Sequence, residues 1–208
     1  MASTASPYGF KPVNEVGGLP YAGSTRSFVL NPAGYGTNIF NGSLVYVATT
    51  GYLQLVTADG SDGTTNAFPA GTTLTGAVGV FVGCSYVNAQ GQTVQAQYYP
   101  TGVTNAIAYV VLDPQAAYKV AVTNNGTTGT VTYVTRSVVG KNAVVAQGSG
   151  STTSGDSGES VEANTTASNA EFAVRIIDVV PETAINATAF REVIVKLNQP
   201  QFQVTTGL

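Results

Sequence analysis

From Leu44 onward, the chain consists of short segments rich in β-branched and aromatic residues, and turn residues separate these segments. Valine and threonine supply 29 and 28 of the 208 positions. Because both are branched at Cβ, they fit a pleated sheet better than a helix. Leucine, at nine positions, is scarce for a helical protein. The pattern predicts an all-β fold, namely an antiparallel β-barrel or β-sandwich of about ten short strands.

The predicted strands end where Gly, Asn, Asp or Pro residues introduce turns. Two of them, at residues 44–48 and 52–56, flank Thr50-Gly51 and are typical of a β-hairpin. The full set comprises residues 44–48, 52–56, 78–87, 92–99, 106–112, 118–122, 130–139, 172–180, 192–197 and 202–204.

Helix is predicted at no more than two places, and both helices are short. One turn is expected over residues 115–117, after Asp113-Pro114. A second is expected over residues 181–189, where Pro181 stands acceptably at a first helical position.

The first 36 residues are rich in proline and glycine and show no sustained hydrophobic period. We therefore predict an extended N-terminal arm over residues 1–36 and a β-barrel or β-sandwich body over residues 37–208. Such an arm is expected to pack against something else, such as another subunit. Its candidate contact residues are the apolar anchors Tyr8 and Phe10, and the cations Lys11 and Arg26, which are available to a neighbour's carboxylate.

Within the body, residues 147–160 are rich in Gly, Ser and Thr and are interpreted as a flexible loop. Acidic residues gather at its end and beyond, with no lysine or arginine between them. They are expected to form one solvated, acidic edge, made of Asp156, Glu159, Glu162 and Glu171.

Charge is scarce along the chain and unevenly distributed. Only 9% of the residues are charged, whereas a soluble domain usually carries about 25%. From Gly63 through Leu112 there are fifty consecutive uncharged residues. Neutral polar side chains are cheap to desolvate at a contact and resist association less than charges do. This segment therefore predicts a face that other subunits bury.

The residue types that are absent exclude much familiar chemistry. The chain has no histidine, so Ser-His-Asp and Cys-His catalysis and histidine-ligated metals are excluded. Gly155-Asp156-Ser157-Gly158 matches the string around the nucleophile of trypsin-like proteases, but that mechanism needs a histidine. Cys84, the single cysteine, is predicted to be an inert core residue. We expect no enzyme, no catalytic residue and no cofactor.

Metal, nucleic-acid and membrane binding are not predicted either. Asp59-Gly60-Ser61-Asp62-Gly63 is an oxygen-rich turn but lacks the spacing of a calcium loop, so no metal site is assigned and cation binding stays open. The isoelectric point near 4.7 leaves no basic patch for phosphates. The longest strongly apolar stretch, residues 77–84, falls far short of about 20 residues. The N-terminus lacks signal-peptide features, which is consistent with synthesis in the cytoplasm.

Several stretches resemble structural proteins of tailed bacteriophages, especially marine and freshwater ones, that are encoded near the major capsid protein. The resemblance extends over most of the chain. The stretches that carry it are Tyr8-Gly9-Phe10-Lys11-Pro12-Val13, Tyr35-Gly36-Thr37-Asn38-Ile39-Phe40-Asn41-Gly42, Gly79-Val80-Phe81-Val82-Gly83-Cys84-Ser85-Tyr86, Tyr98-Tyr99-Pro100 and Val193-Ile194-Val195-Lys196-Leu197-Asn198.

Such proteins are similar to capsid decoration, or cement, proteins, which as a class are small, β-rich and often trimeric. The resemblance implies a structural virion protein on the capsid exterior that binds the major capsid protein, associates with itself as a homotrimer and stabilises the capsid lattice. Two alternatives stay open. One is another virion component, such as a head fibre base or tail protein, and the other is a carbohydrate-binding or adhesin module.

Overall fold

A computed structural model of the chain describes residues 6–57, 64–65, 77–124, 130–131, 134–168, 172–181, 190–198 and 201–202. The fold is all-β, as the sequence predicts, and its two mainly antiparallel sheets form a nearly closed, barrel-like arrangement. Helical structure within these ranges is confined to short 3₁₀ turns, including Arg136–Val138 and Ala163–Thr165.

Fifteen strands are formed by the described residues, and several of them are only two residues long. In chain order they are β1 Lys11–Glu15, β2 Arg26–Val29, β3 Leu44–Val47, β4 Leu53–Leu55, β5 Thr64–Thr65, β6 Gly79–Val87, β7 Thr93–Ala96, β8 Ile107–Val111, β9 Ala116–Asn124, β10 Thr130–Val131, β11 Asn142–Ala143, β12 Val145–Ala146, β13 Ser160–Glu162, β14 Val174–Val179 and β15 Glu192–Leu197.

The larger sheet has nine strands and is organised around β9. β1 and β15 flank the first half of β9, while β13 and β10 flank its second half, and β13 is the parallel neighbour. Seven of the nine residues of β9 are buried, so both faces of this central strand are covered along most of its length. This explains the almost continuous apolar sequence of the strand, which a half-exposed strand does not show.

The smaller sheet has six strands in the order β2-β8-β6-β3-β4, with β7 paired to β6. The predicted hairpin is confirmed, since β3 and β4 pair in antiparallel register with Val45 opposite Leu55. β6 is the long central strand, and its register with β8 shifts between Phe81 and Gly83.

Two apolar clusters lie on opposite faces of the smaller sheet. The central core lies between the two sheets and includes Val80, Val111 and Tyr118. The second core lies on the other face, where Phe81 and Val110 pack against loop residues such as Tyr99. The alternation of Val110 and Val111 between the two cores follows the two-residue period of a strand.

The N-terminal residues are part of these sheets. β1 pairs with β9 of the larger sheet, and β2 pairs with β8 of the smaller one. Phe10 is fully buried in the central core and meets Tyr118 edge-to-face at 6.3 Å between ring centroids. An arm whose Phe10 anchors it to another subunit is therefore not what the structure shows, because the chain's own core takes up that side chain.

Three local predictions differ from the structure. Residues 116–117 belong to β9, so the predicted helical turn over 115–117 is wrong: β1 supplies partners for these two residues that local sequence does not reveal. The strand predicted over 130–139 includes β10, but the chain then forms the 3₁₀ turn Arg136–Val138. Phe202 lies in a turn, while residues 203–204 and the predicted helix over 182–189 lie outside the described residues.

Candidate interaction surface

The residue pairing of the smaller sheet places a row of uncharged side chains on one of its faces. Val29 of β2 lies opposite Ile107 of β8, which lies opposite Ser85 of β6, which in turn lies opposite Gln95 of β7. Directly opposed residues share a face of the sheet. The neighbouring rows, read from the same registers, add further residues. We call the set the neutral face: Ser27, Val29, Ser85, Val87, Thr93, Gln95, Ile107 and Tyr109.

The neutral face begins beneath the larger sheet and continues into solvent. Along one side of β8, Val111 is buried in the central core, Tyr109 is half-buried and Ile107 is 42% exposed. Val29 and Val87 are 50% and 55% exposed. Three large β-branched side chains are thus in contact with water on a surface that carries no charge.

This surface combines two properties that favour a protein contact. Its apolar side chains gain free energy when they leave water, at about 25 cal/mol per Å² of apolar area. Its polar residues, such as Thr93 and Gln95, are uncharged and therefore cost little to desolvate when they find hydrogen bonds. Most of the neutral face comes from the uncharged segment that the sequence singles out, and β2 supplies the remainder.

Of the four candidate contact residues, Tyr8 and Lys11 are held by polar partners in the same chain. The Tyr8 hydroxyl donates to Glu192 Oε1 at 2.6 Å, and burial together with this carboxylate raises the pKa of Tyr8 far above its ordinary value. Lys11 Nζ donates to Asp156 Oδ1 at 2.6 Å and to Asn41 Oδ1 at 3.0 Å. Both side chains thus join segments of one chain.

Arg26 lies apart from the other three candidates, at the start of β2. Its guanidinium stands 5.5 Å from the ring centroid of Phe28 and 6.0 Å from that of Phe202, and the two rings stack. Phe202 is 52% exposed. The four residues therefore do not form one site, although Arg26 and Phe202 form an exposed aromatic and cationic cluster.

The segment predicted as a flexible loop, residues 147–160, packs closely against itself and against Asn41. Close contact between two parts of its backbone explains why glycines are needed: a Cβ atom at Gly148 would lie 2.1 Å from the carbonyl oxygen of Gly158. Ser157 N–H donates to Asn41 O at 2.9 Å, and Gly155 O accepts from Asn41 N–H at 2.9 Å. The composition is that of a linker, but here small residues let two backbones approach each other.

Ser157, the residue in the protease-like string, is buried and has a structural role. Its hydroxyl lies 3.0 Å from the Ser43 hydroxyl, and it accepts the N–H of Glu159 at 3.1 Å. A nucleophile must reach a substrate, and this hydroxyl is enclosed. The string therefore serves packing.

Glu159, which the sequence places on a solvated acidic edge, is buried, and so is Glu162. The Glu159 carboxylate accepts the N–H of Leu44 at 3.0 Å, and the Ser43 hydroxyl also favours its ionised form. Burial outweighs both contacts and raises the pKa of Glu159 to about 8. The prediction of a solvated edge is wrong at these two positions, because the segment turns inward after Gly155.

Cys84 is buried in β6, and its burial raises the pKa of the thiol to about 11. The thiolate is the reactive form of cysteine, so this thiol is expected to be inert at neutral pH. We expect less than a tenth of the protein to react with a thiol-specific disulfide reagent in an hour at pH 7.5, and all of it to react in denaturant. Absorbance of the released thiol measures both, and rapid labelling of folded protein contradicts the expectation.

The part of the chain that the structure describes contains no group of three or more His, Cys, Asp or Glu residues placed to hold a metal ion. The Asp59–Asp62 turn lies outside those ranges. Over the same described residues, no helix has the length and apolar character needed to cross a bilayer.

The sequence points to the neutral character of the surface but not to Val29, Val87 and Ile107, the residues that expose its apolar part. The apolar sequence of the β8 segment predicts a strand, but it does not indicate that the Ile107 end of the strand is exposed and the Val111 end is buried. No protein-family model matches the chain, and no curated protein or solved structure matches it significantly.

Proposed function

We propose that this chain is a structural virion protein that binds the outside of a phage head and stabilises its lattice. The neutral face is the contact with the major capsid protein. The observation that carries the proposal is the exposure of Val29, Val87 and Ile107 together on a sheet face without charge. The phage-like sequence stretches support the same role.

Such a protein acts by binding alone. A ligand that binds the assembled lattice, and not the free capsid subunits, stabilises the lattice by mass action. Each additional contact between the same partners then raises the overall affinity through its effective concentration. Two side chains that could act as nucleophiles, Ser157 and Cys84, are both buried and contribute to the packing of the fold.

The Arg26, Phe28 and Phe202 cluster favours a second candidate function, carbohydrate binding. Exposed aromatic rings stack against apolar sugar faces, and the guanidinium of Arg26 beside them can donate hydrogen bonds. Binding of the isolated protein to a glycan array, with loss of signal in Phe202→Ala and no affinity for heads, supports this candidate and contradicts head decoration.

Charge on the neutral face is expected to prevent attachment to heads. Ile107→Asp and Val87→Asp place a carboxylate where an apolar side chain is buried on binding, and an unpaired buried charge is costly. We expect each change to weaken binding at least tenfold and the double variant to abolish it. Co-sedimentation with empty heads made from the major capsid protein of the same phage measures the bound fraction.

Leu19→Asp is the matched control, because Leu19 is 63% exposed but lies outside the neutral face. It should bind heads as the unchanged protein does, and all variants should keep their thermal unfolding midpoints. Equal binding of the double variant and the unchanged protein excludes the neutral face. Electron microscopy of labelled virions then separates a head protein from a fibre base or tail protein.

A further inference from the structure

Within the part of the chain that the structure describes, the strand β2 is paired along one edge only. In an antiparallel pair, alternate residues exchange N–H···O=C bonds with the partner, and the residues between them direct their backbone groups away from it. Leu30 N–H donates to Ala106 O, so Phe28 is the next bonded position of β2. The backbone groups of Ser27 and Val29 therefore point away from β8. Within the described ranges, β2 pairs with no other strand.

Against the described strands, β7 is likewise paired along one edge only. Asn88 N–H donates to Gln92 O at 2.9 Å, so the bonded positions towards β6 continue at Val94. The backbone N–H and C=O groups of Thr93 and Gln95 point to the other side. Among the residues that the structure describes, β6 is the sole strand paired with β7.

These two edges are complementary to each other. Each offers two residues, spaced two apart, with outward N–H and C=O groups. The two edges are the opposite outer edges of the four strands that lie side by side in the order β2, β8, β6 and β7. Both edges border the neutral face. Unpaired edges of this kind are templates for pairing with another chain.

We propose that β2 of one copy pairs with β7 of the next copy, so that the protein assembles into a closed ring. In antiparallel register, Ser27 faces Gln95 and Val29 faces Thr93, and each pair exchanges two N–H···O=C bonds. The neutral faces of neighbouring copies then form one continuous surface. The proposal deepens the self-association that the resemblance implies, and it does not depend on attachment to heads.

Charge favours this pairing over the pairing of two β2 edges. Arg26 is the single charged residue in the two strands. Pairing of β2 with β2 brings two Arg26 side chains into one interface, whereas pairing with β7 places one of them against an uncharged strand. Beyond β7, Gln97 contacts Asp156, which is paired with Lys11, so no unbalanced cation faces Arg26.

Proline substitution tests each edge separately. Ser27→Pro and Gln95→Pro each remove an N–H that points away from the chain's own sheet, so the fold keeps its bonds while the edge is blocked. We expect light scattering to show a multiple of 21.2 kDa for the unchanged protein and a monomer for each variant. Val29→Lys and Thr93→Lys form a second pair in case a proline variant fails to fold, and circular dichroism checks folding.

Mixing the two variants gives the decisive measurement. Ser27→Pro protein keeps an intact β7, and Gln95→Pro protein keeps an intact β2, so an equimolar mixture should form a dimer of twice 21.2 kDa and nothing larger. If β2 pairs with β2, Gln95→Pro has no effect on mass, and if β7 pairs with β7, Ser27→Pro has none. Either result overturns the ring, and so does a monomeric or filamentous unchanged protein.

The test of the ring is separate from the test of the proposed function. Mass is measured on isolated protein, and head binding is measured by co-sedimentation. Unchanged protein that is monomeric and still binds heads overturns the ring alone, whereas unchanged protein that forms rings but does not bind heads overturns the decoration role alone.

Discussion

Replacing Phe10 with alanine is expected to lower the free energy of unfolding by about 3–5 kcal/mol, the range for truncating a buried phenylalanine. Phe10 is fully buried and stands edge-to-face with Tyr118. Its own backbone N–H donates to Gly42 O at 2.9 Å. Truncation leaves a cavity beside Tyr118 in the central core. Chemical denaturation with a linear extrapolation measures the change.

Two conservative variants separate packing from other effects. Phe10→Leu keeps most of the volume and should cost less than Phe10→Ala, because the cavity is smaller. Tyr8→Phe removes only the hydroxyl that donates to Glu192, and we expect a loss of about 1.5–3 kcal/mol, the range for a hydrogen bond to a charged group. Unchanged stability of Phe10→Ala, with loss of attachment to heads, would instead support the extended arm that the sequence predicts.

The strands that the sequence predicts well are those whose signal is local. Residues 192–197 match β15 at both ends, and the hairpin of β3 and β4 is identified from its turn. In both cases, β-branched residues fill a segment of strand length and turn residues end it. Such segments carry their own evidence, whichever strand they pair with.

The N-terminal strands lack that local signal. β1 reads Lys-Pro-Val-Asn-Glu, which contains a proline and two charges and has poor intrinsic preference for a sheet. It is a strand because β9, about a hundred residues later, offers a partner for Lys11 through Glu15. Pairing over that separation depends on the whole fold, and a sequence window of ten residues does not contain it.

Composition also fails where one residue type serves two purposes. Glycine suits a flexible linker and equally suits two backbones in close contact, as at Gly148 and Gly158. For the candidate surface, the fifty uncharged residues indicate a neutral face, but its location follows from strand register. Which backbone groups of β2 and β7 are free follows from the hydrogen-bond phase of each strand, and side-chain chemistry does not encode that phase.

The buried carboxyl of Glu159 should make stability fall as the pH rises. In the unfolded chain this group ionises near pH 4.5, whereas in the fold its pKa is about 8. Between these values the folded state keeps a proton that the unfolded state releases, so stability decreases by up to about 1.4 kcal/mol per pH unit. Below pH 4.5 both states are protonated and above pH 8 both are ionised, so the slope from this group vanishes.

Glu159→Gln should remove this slope, because a neutral amide occupies the same space and has no proton to lose. The carboxyl is contacted by the Leu44 N–H and the Ser43 hydroxyl, which carry no charge. Ser157 and Gly9 bond to the backbone of Glu159 and are also uncharged. Lys11 and Asp156 are paired with each other. Denaturation at pH 5, 7 and 9 measures the free energy of unfolding of both proteins. Relative to the unchanged protein, the glutamine variant should become more stable as the pH rises, by roughly a few kcal/mol at pH 9.

Asp178→Asn is the control for this experiment, since Asp178 pairs with Arg136 in an exposed ion pair that contributes less than about 1 kcal/mol. It should follow the unchanged protein at all three pH values. A Glu159→Gln variant that keeps the full pH slope shows that another group holds the proton. If the slope is lost, the buried carboxyl of Glu159 is the group whose ionisation couples the stability of the fold to pH.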